Sequence, residues 1–287
     1  MMDNINKNSY LPVSVTLVSS IMENDAMDLK TLRFKFDDKK DRESFNFKCG
    51  QFAILSVAGA GECPIGIASS PAEKEYVEFT VKSYPNGVVS SALHSLEEGA
   101  NIGIRGPYGN SFPLDEMQGK NVVIVSGGFA FTTLRATIKY MLLNENIDKF
   151  KSITAIYGAR NPGELLYKDE LKDWEQSDKI NMHITVDKGD KGWKGHEGFV
   201  PAVLGEVAPS SNNAYALVCG PPLMMKHTVP VLKKLNFDDE RIFTSIERKM
   251  SCGIGKCGRC NVGPKYVCKD GPIFSYKEVK NLYENVF

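Results

Sequence analysis

Four of the seven cysteines lie in one short glycine-rich stretch, and their spacing restricts the fold more than any other feature. Cys252, Cys257 and Cys260 follow a C-x4-C-x2-C pattern, and seven residues separate Cys260 from Cys268. This spacing is that of plant-type 2Fe–2S sites, in which four thiolates hold two irons. The glycines between the cysteines permit the backbone angles that a tight loop requires. We therefore expect a one-electron centre, a 2Fe–2S cluster, at these four residues.

Two other interpretations of the cysteines stay open at this point. A structural zinc site usually has paired C-x2-C or Cys/His motifs, and only one such pair is present. A disulfide framework is typical of small secreted domains rather than of a 287-residue chain. The remaining cysteines, Cys49, Cys63 and Cys219, are widely separated and are interpreted as buried core residues.

Charge and hydropathy exclude several classes of protein. Lysine plus arginine and aspartate plus glutamate number 35 each, so no surplus charge points to nucleic acid or to a membrane surface. No apolar run is long enough for a membrane span, and the N-terminal stretch 1–7 lacks the apolar core of a secretory signal. With an odd number of cysteines, these features predict a cytoplasmic protein.

The pattern of residues 1–115 predicts an antiparallel β-barrel with one helix. Short segments alternate apolar and polar residues or run apolar, and turn residues separate them. The predicted strands are Val13–Ser19, Leu32–Phe36, Phe52–Val57 and Val77–Lys82, and the predicted helix is Val89–Leu96.

The pattern changes over residues 116–246, where strands and helices alternate. This alternation predicts an α/β domain with a doubly wound parallel sheet. The predicted strands are Val122–Val125, Ile153–Tyr157, Met182–Val186, Ala216–Cys219 and Ile242–Ile246, the last of the sheet. The predicted helices are Thr132–Leu143, Lys168–Trp174, Phe199–Val207 and Pro222–Leu235. Residues 247–287 are predicted to be a small 2Fe–2S module, an appendage after the last strand.

Three glycine-containing segments lie where nucleotides bind in folds of this class. Ser126-Gly127-Gly128 follows the first predicted parallel strand, and Cys219-Gly220-Pro221 follows a later one. In open α/β sheets, ligands bind at these carboxyl ends. Gly87-Val88-Val89-Ser90 opens the predicted helix of the first domain, where N–H groups suit a diphosphate. Taken singly, a tight turn, a buried cysteine or a capped helix explains each segment as well.

The order of these segments resembles that in the ferredoxin–NADP reductase family. Pro64-Ile65-Gly66-Ile67 comes first along the chain, and the segment at Gly87 follows it. Gly106-Pro107-Tyr108-Gly109 comes next, and the segments at Gly127 and at Cys219 come last. With its cluster module, nearly the whole chain is similar to the branch that contains sulfhydrogenase gamma subunits, a subunit of anaerobic sulfite reductase and dihydroorotate dehydrogenase electron-transfer subunits. The resemblance implies FAD in the barrel and NAD(P)H in the α/β domain. It also implies a partner redox subunit, of the hydrogenase or sulfite reductase kind, docking near the cluster.

The resemblance also implies which residues contact each ligand. FAD would be held by Cys63, Pro64, Ile65, Gly66, Val81, Lys82, Gly87, Val88, Val89 and Ser90. The nicotinamide nucleotide would contact Gly127, Gly128, Thr132, Tyr157, Gly158, Ala159, Arg160, Asp187, Gly220 and Pro221. Cys219 would be the catalytic residue, close to the carbon that carries the hydride.

Three departures from the family pattern concern these sites. At the flavin, Cys63-Pro-Ile-Gly66 lacks the arginine and the hydroxyl of the Arg-Pro-x-Ser motif, so a backbone N–H of Gly66 or Ile67 would have to replace the hydroxyl. In the nucleotide loop, Ala130 replaces a glycine and Thr133 a proline. That glycine permits close approach of a diphosphate.

Two functions follow from these patterns. The first is an NAD(P)H-dependent oxidoreductase subunit that passes electrons between nicotinamide, FAD, the cluster and a partner, in either direction. The second is a relay and docking subunit with FAD and cluster that no longer binds nicotinamide. A zinc-binding interaction protein is a third, minor interpretation.

Overall fold

The computed structural model describes residues 8–282, so the N-terminal stretch 1–7 lies outside the described residues. The first part of the chain forms a six-stranded antiparallel sheet in the order β4-β3-β6-β1-β2-β5. Its strands are β1 (Val13–Met22), β2 (Leu29–Phe36), β3 (Phe52–Val57), β4 (Gly61–Gly66), β5 (Val77–Lys82) and β6 (Asn101–Tyr108). Two helices accompany them, α1 (Lys39–Ser44) and α2 (Val88–His94). The predicted antiparallel flavin domain and its helix are thus confirmed.

The second part forms a seven-stranded sheet in the order β10-β9-β8-β7-β11-β12-β15. Its strands are β7 (Asn121–Gly127), β8 (Ser152–Ala159), β9 (Asn181–Val186), β10 (His196–Glu197), β11 (Ala214–Cys219), β12 (Ile242–Ser245) and β15 (Ile273–Ser275). Its helices are α3 (Phe131–Met141), α4 (Lys168–Glu175), α5 (Val200–Val207) and α6 (Pro222–Lys234). All pairs are parallel except β12–β15, which confirms the doubly wound α/β domain.

The strand order reverses between β7 and β11. From β7 the chain builds outwards to β8 and β9 on one side, and it then returns to place β11 on the other. Ligands bind at such a reversal point in open α/β sheets. The register aligns Gly127 with Gly158 and Cys219 with Ser126, so the ends of these strands meet at one edge.

The cluster module is built into both domains and is not an appendage. It contains a two-stranded ribbon of β13 (Asn261–Val262) and β14 (Lys265–Tyr266), with α7 (Val267–Asp270), β15 and α8 (Tyr276–Val279). Because β15 pairs with β12, Ile242–Ile246 is not the last strand of the sheet, contrary to the expectation. Buried residues of the module, Val267 and Phe274, also share a core with Phe52 and Ile54 of β3.

Asn110 fixes the module to the flavin domain. Its side-chain amide donates to the carbonyls of Asp270 (3.1 Å) and Ile273 (2.7 Å) and accepts from the Ile273 N–H (2.9 Å). Its own backbone N–H donates to the carbonyl of Gly271 at 2.6 Å. One asparagine thus satisfies several main-chain groups of a turn that would otherwise be only loosely held.

An ionic network joins the two larger domains. Glu78 of β5 is almost fully buried and bonds Arg135 of α3 at 2.8 Å. Arg135 also bonds Glu170 of α4 at 2.6 Å, and Arg33 of β2 bonds Glu78 at 2.8 Å. The domain interface therefore has a fixed geometry, because each buried charge has an opposite partner.

Candidate functional site

A cavity of about 490 Å³ lies where the flavin domain, the nucleotide domain and the cluster module meet. Every residue that the sequence predicts to hold FAD lines it: Cys63, Pro64, Ile65, Gly66, Val81, Lys82, Gly87, Val88, Val89 and Ser90. β4 supplies the first four, the end of β5 the next two, and the start of α2 the rest. Thr132, which is predicted for the nicotinamide nucleotide, lines the same cavity.

The walls of this cavity suit a flavin nucleotide. No side chain caps the start of α2 at Gly87, so the N–H groups of its first turn remain for an occupant. Tyr84 and Val88 are large apolar residues that are more than half exposed at the wall. Lys82, which is paired with Asp28 at 3.2 Å, contributes a positive charge. Donors, cation and exposed apolar surface together match the phosphates and the ring of FAD.

Several residues of the cavity were missed by the sequence interpretation. They include Thr80, Tyr84, Phe129, Thr133, Met250, Pro272 and the run Ser245–Arg248. The run follows β12 at the carboxyl edge of the sheet, so the rule that identified Gly127 and Cys219 would have found it. Because Ile67 N–H already donates to the Gln51 carbonyl at 3.1 Å, that group does not replace the missing hydroxyl.

The residues predicted for nicotinamide end neighbouring strands along one crevice. Gly127 ends β7 and Gly128 follows it, Ala159 ends β8 and Arg160 follows it, and Asp187 follows β9. Parallel pairing aligns Ala159 with Val186, which brings Arg160 and Asp187 together. Partial loss of water raises the pKa of the Asp187 carboxyl, and the positive charge of Arg160 opposes that shift. Gly220 and Pro221 lie across the crevice, between β11 and α6.

Two of these residues have packing roles that the sequence did not reveal. The Tyr157 side chain is fully buried, stacks on Phe131 at 3.9 Å between centroids, and accepts a hydrogen bond from Leu166 N–H. A contact between Tyr157 and the nicotinamide nucleotide therefore remains a prediction for its main chain and not for its ring. A Cβ at Gly158 would collide with Val200, so this glycine permits close packing of α5 against β8.

The loop after β7 tolerates its unusual alanine. Ala130 has an ordinary right-handed backbone, with φ −64° and ψ −12°, which does not require glycine. Its side chain packs against the core of the nucleotide domain rather than standing free. At Gly127, by contrast, a Cβ would lie 2.5 Å from the sulfur of Met224. Gly127 is thus the position of this loop at which a side chain would collide, and it is a glycine in this chain.

Cys219 is a buried thiol next to a carboxyl group. Burial raises its pKa to about 12, the charge of Glu247 adds to the shift, and a hydrogen bond with Ser245 opposes it. Loss of water also raises the pKa of the Glu247 carboxyl. Cys219 therefore remains a neutral thiol near neutral pH and cannot act as a nucleophile. A role in shaping the hydride site agrees with this chemistry.

The cluster loop arranges backbone N–H groups around sulfur. The Cys252 sulfur accepts from the N–H groups of Ile254 (3.5 Å), Lys256 (3.3 Å) and Cys257 (3.4 Å). Burial opposes ionisation, but these donors outweigh it and lower the pKa of Cys252 to about 6. At Cys268 burial raises the pKa to about 12, and the Gly255 N–H, which donates to its sulfur at 3.1 Å, opposes that shift. Thiolate is the form that binds metal, and the N–H groups of this loop favour it at both cysteines.

The four cluster cysteines interact with one another. Cys252 interacts with Cys257, and Cys268 interacts with both Cys260 and Cys252. Their C-x4-C-x2-C spacing, with a single C-x2-C pair, is typical of a 2Fe–2S cluster rather than of a structural zinc site. All seven cysteines are free thiols in the described chain, so the disulfide interpretation has no support.

Comparisons with known proteins agree with this geometry. Residues 19–112 match the oxidoreductase FAD-binding domain, and residues 124–229 match the oxidoreductase NAD-binding domain. Residues 247–280 match the iron-sulfur cluster binding domain of dihydroorotate dehydrogenase B. Within the described chain, no helix combines the length and apolar character that crossing a bilayer requires.

Similar proteins cover nearly the whole chain. The sulfhydrogenase 1 subunit gamma of Pyrococcus furiosus is 36% identical over 286 residues, which is 97% of this chain and 95% of the relative. A probable dihydroorotate dehydrogenase B (NAD(+)) electron transfer subunit of Thermococcus kodakarensis is 36% identical over 260 residues, 90% and 94% of the two chains. A solved chain of NADH-dependent reduced ferredoxin–NADP oxidoreductase has the same fold, with a TM-score of 0.73 at 24% identity and coverage of 95% and 94%. The chain belongs to the ferredoxin–NADP reductase family, in its branch of electron-transfer subunits that combine FAD, NAD and C-terminal iron–sulfur domains.

Proposed function

We propose that the chain takes up FAD in the three-part cavity, binds NAD(P)H along the crevice and holds a 2Fe–2S cluster on Cys252, Cys257, Cys260 and Cys268. The composition of the cavity wall carries this proposal. Thr133 belongs to the nucleotide domain, Cys63 to the flavin domain, and Met250 and Pro272 to the cluster module. A single FAD in this cavity would therefore contact both the nucleotide domain, which would bring electrons in, and the cluster module, which would carry them out. We also propose domain boundaries after residues 115 and 246.

The roles of the residues follow from their positions. A bound flavin supplies the conversion between two-electron and one-electron transfer. β4 and the start of α2 would hold its two ends, while Gly127, Gly128, Arg160 and Asp187 would orient the nicotinamide nucleotide. Cys219, which is buried and feels the charge of Glu247, would shape the place where the nicotinamide and flavin rings meet and would exclude water from it.

The alternative, a relay that has lost nicotinamide binding, is less well supported. It depended on Ala130, whose methyl group packs against the core and whose backbone does not need glycine. Gly128 faces open space, so a diphosphate can approach the main chain there. These observations favour a nucleotide-binding crevice.

The proposed partner is a redox subunit that presents an acidic face to the cluster. Residues 247–280 contain eight basic and three acidic residues, although the whole chain is neutral. Cys257 is exposed, and Lys256, Arg259 and Lys269 around it form no ion pair within residues 8–282. Surfaces of opposite charge speed association and fix its orientation. Among the relatives, the near-complete match to a sulfhydrogenase gamma subunit favours a hydrogenase-type partner over a dihydroorotate dehydrogenase-type one.

An anaerobic titration of the reconstituted protein tests this function. We expect NADH or NADPH to bleach the flavin absorption and then to change the iron–sulfur bands. If neither nucleotide does so while dithionite does, the relay function is correct instead. If the purified chain binds neither iron nor flavin, both functions are wrong.

Matched variants localise the nucleotide in the same experiment. Arg160→Gln removes an exposed guanidinium at the crevice. It should raise the dissociation constant of the nucleotide that reduces the flavin about tenfold, because one charged hydrogen bond is lost. Lys234→Gln removes an exposed charge near the end of α6 and should change nothing. Equal effects of the two substitutions would argue against the crevice.

A further inference from the structure

The flavin domain lacks a side chain at a point of the cavity wall where the nucleotide domain lies against it. Gly66 ends β4 and lines the cavity, as does Thr133 in the first turn of α3. A Cβ built at Gly66 would lie 3.1 Å from the Thr133 hydroxyl oxygen. The Thr133 hydroxyl thus occupies the place where a side chain from Gly66 would extend.

The Thr133 hydroxyl is not used by the protein itself. It forms no hydrogen bond with any residue in the range 8–282, whereas Thr137, one turn later in α3, donates to the Thr133 carbonyl at 3.3 Å. Threonines inside helices commonly satisfy their hydroxyls in the way Thr137 does. A half-buried hydroxyl without such a partner, in the wall of a cavity, is available to an occupant.

The position of Thr133 indicates which part of the occupant it would meet. Nicotinamide approaches from the carboxyl ends of β7 and β11, so the flavin ring must lie at the interdomain end of the cavity for hydride transfer. Gly66 of the flavin domain, Thr133 of the nucleotide domain and Glu247 at the start of the cluster module all line the cavity, and we place this interdomain end where Gly66 and Thr133 meet. The diphosphate would then lie towards Gly87 and Ser90.

We propose that Thr133 is a positioning residue whose hydroxyl forms a hydrogen bond with the polar edge of the flavin ring across the domain interface, in place of a side chain at Gly66. This inference rests on the proposed binding of FAD. A hydroxyl can both donate and accept, so it can bond a ring nitrogen without a proton in the oxidised flavin and an N–H in the reduced one. A backbone N–H can only donate. Thr133 would thereby tune the flavin as well as hold it.

Variants of the full chain test the proposal through flavin binding and flavin potential. Thr133→Val keeps the shape but removes the hydroxyl, and we expect the dissociation constant for FAD to rise about three- to tenfold. The midpoint potential and the absorption maximum of the bound flavin should shift as well. Thr133→Ser should restore all three values to those of the unchanged chain.

A double variant moves the hydroxyl to the other domain. Thr133→Ala should weaken the binding of FAD as much as Thr133→Val does. Adding Gly66→Ser to the Thr133→Ala chain should restore both the affinity for FAD and the midpoint potential of the bound flavin. Thr137→Val, one turn further along α3, serves as the control for loss of a threonine from this helix.

Two results would overturn the proposal. One is a Thr133→Val chain with unchanged flavin affinity and potential, and the other is a Thr133→Ser chain as impaired as Thr133→Val, which would assign the effect to the methyl group. These measurements use FAD alone. A chain that fails to oxidise NAD(P)H therefore leaves this test intact and contradicts only the nicotinamide part of the proposed function.

Discussion

At the scale of single residues, the cluster loop depends on glycines that differ in their surroundings. Gly253 and Gly258 both have left-handed backbones, with φ of +76° and +73°. A Cβ at Gly253 would lie 2.7 Å from Ile54 of the flavin domain, whereas nothing lies within 4 Å of one at Gly258. The two positions therefore separate backbone strain from steric contact.

We expect Gly253→Ala to be more harmful than Gly258→Ala. Both changes cost about 1–2 kcal/mol for alanine in a left-handed conformation. Gly253→Ala adds about 1–3 kcal/mol of overpacking, because Ile54 must move. The measurement is iron per chain together with the midpoint of thermal unfolding. Equal losses from the two substitutions would show that contact with Ile54 does not matter.

The residue scale also shows what a sequence can and cannot reveal about this site. The four cluster cysteines and the flavin segments could be predicted because they are local patterns. The burial of the Tyr157 ring could not be predicted, because it depends on contacts with Phe131 and Leu166 that form only when the strand and helices pack together. The relation between Gly66 and Thr133 could not be predicted, since it arises only when two domains meet.

At the scale of elements, helix α3 connects the two large domains through Arg135. Burial opposes ionisation of Glu78, but Arg135 and Arg33 outweigh it and hold its pKa below the ordinary value. Glu170 behaves in the same way, with Arg135 as its main partner. A carboxylate with a depressed pKa stabilises the fold fully above its unfolded pKa of about 4.5, and this contribution is lost as the pH falls through the folded pKa.

We therefore expect the interface to weaken in acid and Glu78→Gln to remove much of that response. The substitution leaves Arg135 with one buried carboxylate partner fewer. It should lower the free energy of unfolding by about 3 kcal/mol near neutral pH. Urea unfolding at about pH 7 and about pH 4 measures both effects. Lys139→Gln, which affects only a partly exposed pair with Glu170, should cost less than about 1 kcal/mol. If the Glu78→Gln chain lost as much unfolding free energy between about pH 7 and about pH 4 as the unchanged chain does, this explanation would be wrong.

Elements were predicted well where periodicity was strong and poorly where it was not. The parallel strands and the predicted helices were found within a few residues of their bounds. β4 was missed because Pro64 and two glycines interrupt its pattern, although an edge strand tolerates proline. β15 has only three residues, and its pairing with β12 depends on the module folding back.

At the scale of the whole molecule, charge is distributed unevenly. The cluster module is basic, and the exposed Tyr10 and Leu11 lie beside it, with Lys256 5.4 Å from the centre of the Tyr10 ring. An apolar patch with a charged rim is the usual composition of a protein interface. The exposed side of the cluster loop thus has the character of a contact surface.

Zero-length carbodiimide cross-linking of the native complex should connect this surface to the partner. The reagent joins lysine amines to carboxylates in direct contact, so we expect links from Lys256 and Lys269 to acidic residues of the partner. Lys256→Arg keeps the charge and should abolish only the Lys256 link. Partner links from Lys234 alone, near the end of α6, would refute an acidic partner at the cluster.

The three-part cavity connects the folding of this chain to the supply of its ligand. Its wall combines residues from β4, from α3 and from the turn before β15, so an occupant binds only when all three segments are in place. A ligand that binds only the folded state adds about 2.7 kcal/mol at a concentration of about 100 times its dissociation constant. By mass action, a cell that lacks flavin would hold more of this protein unfolded and exposed to its proteases. The amount of the electron carrier would then follow the vitamin from which its flavin is made.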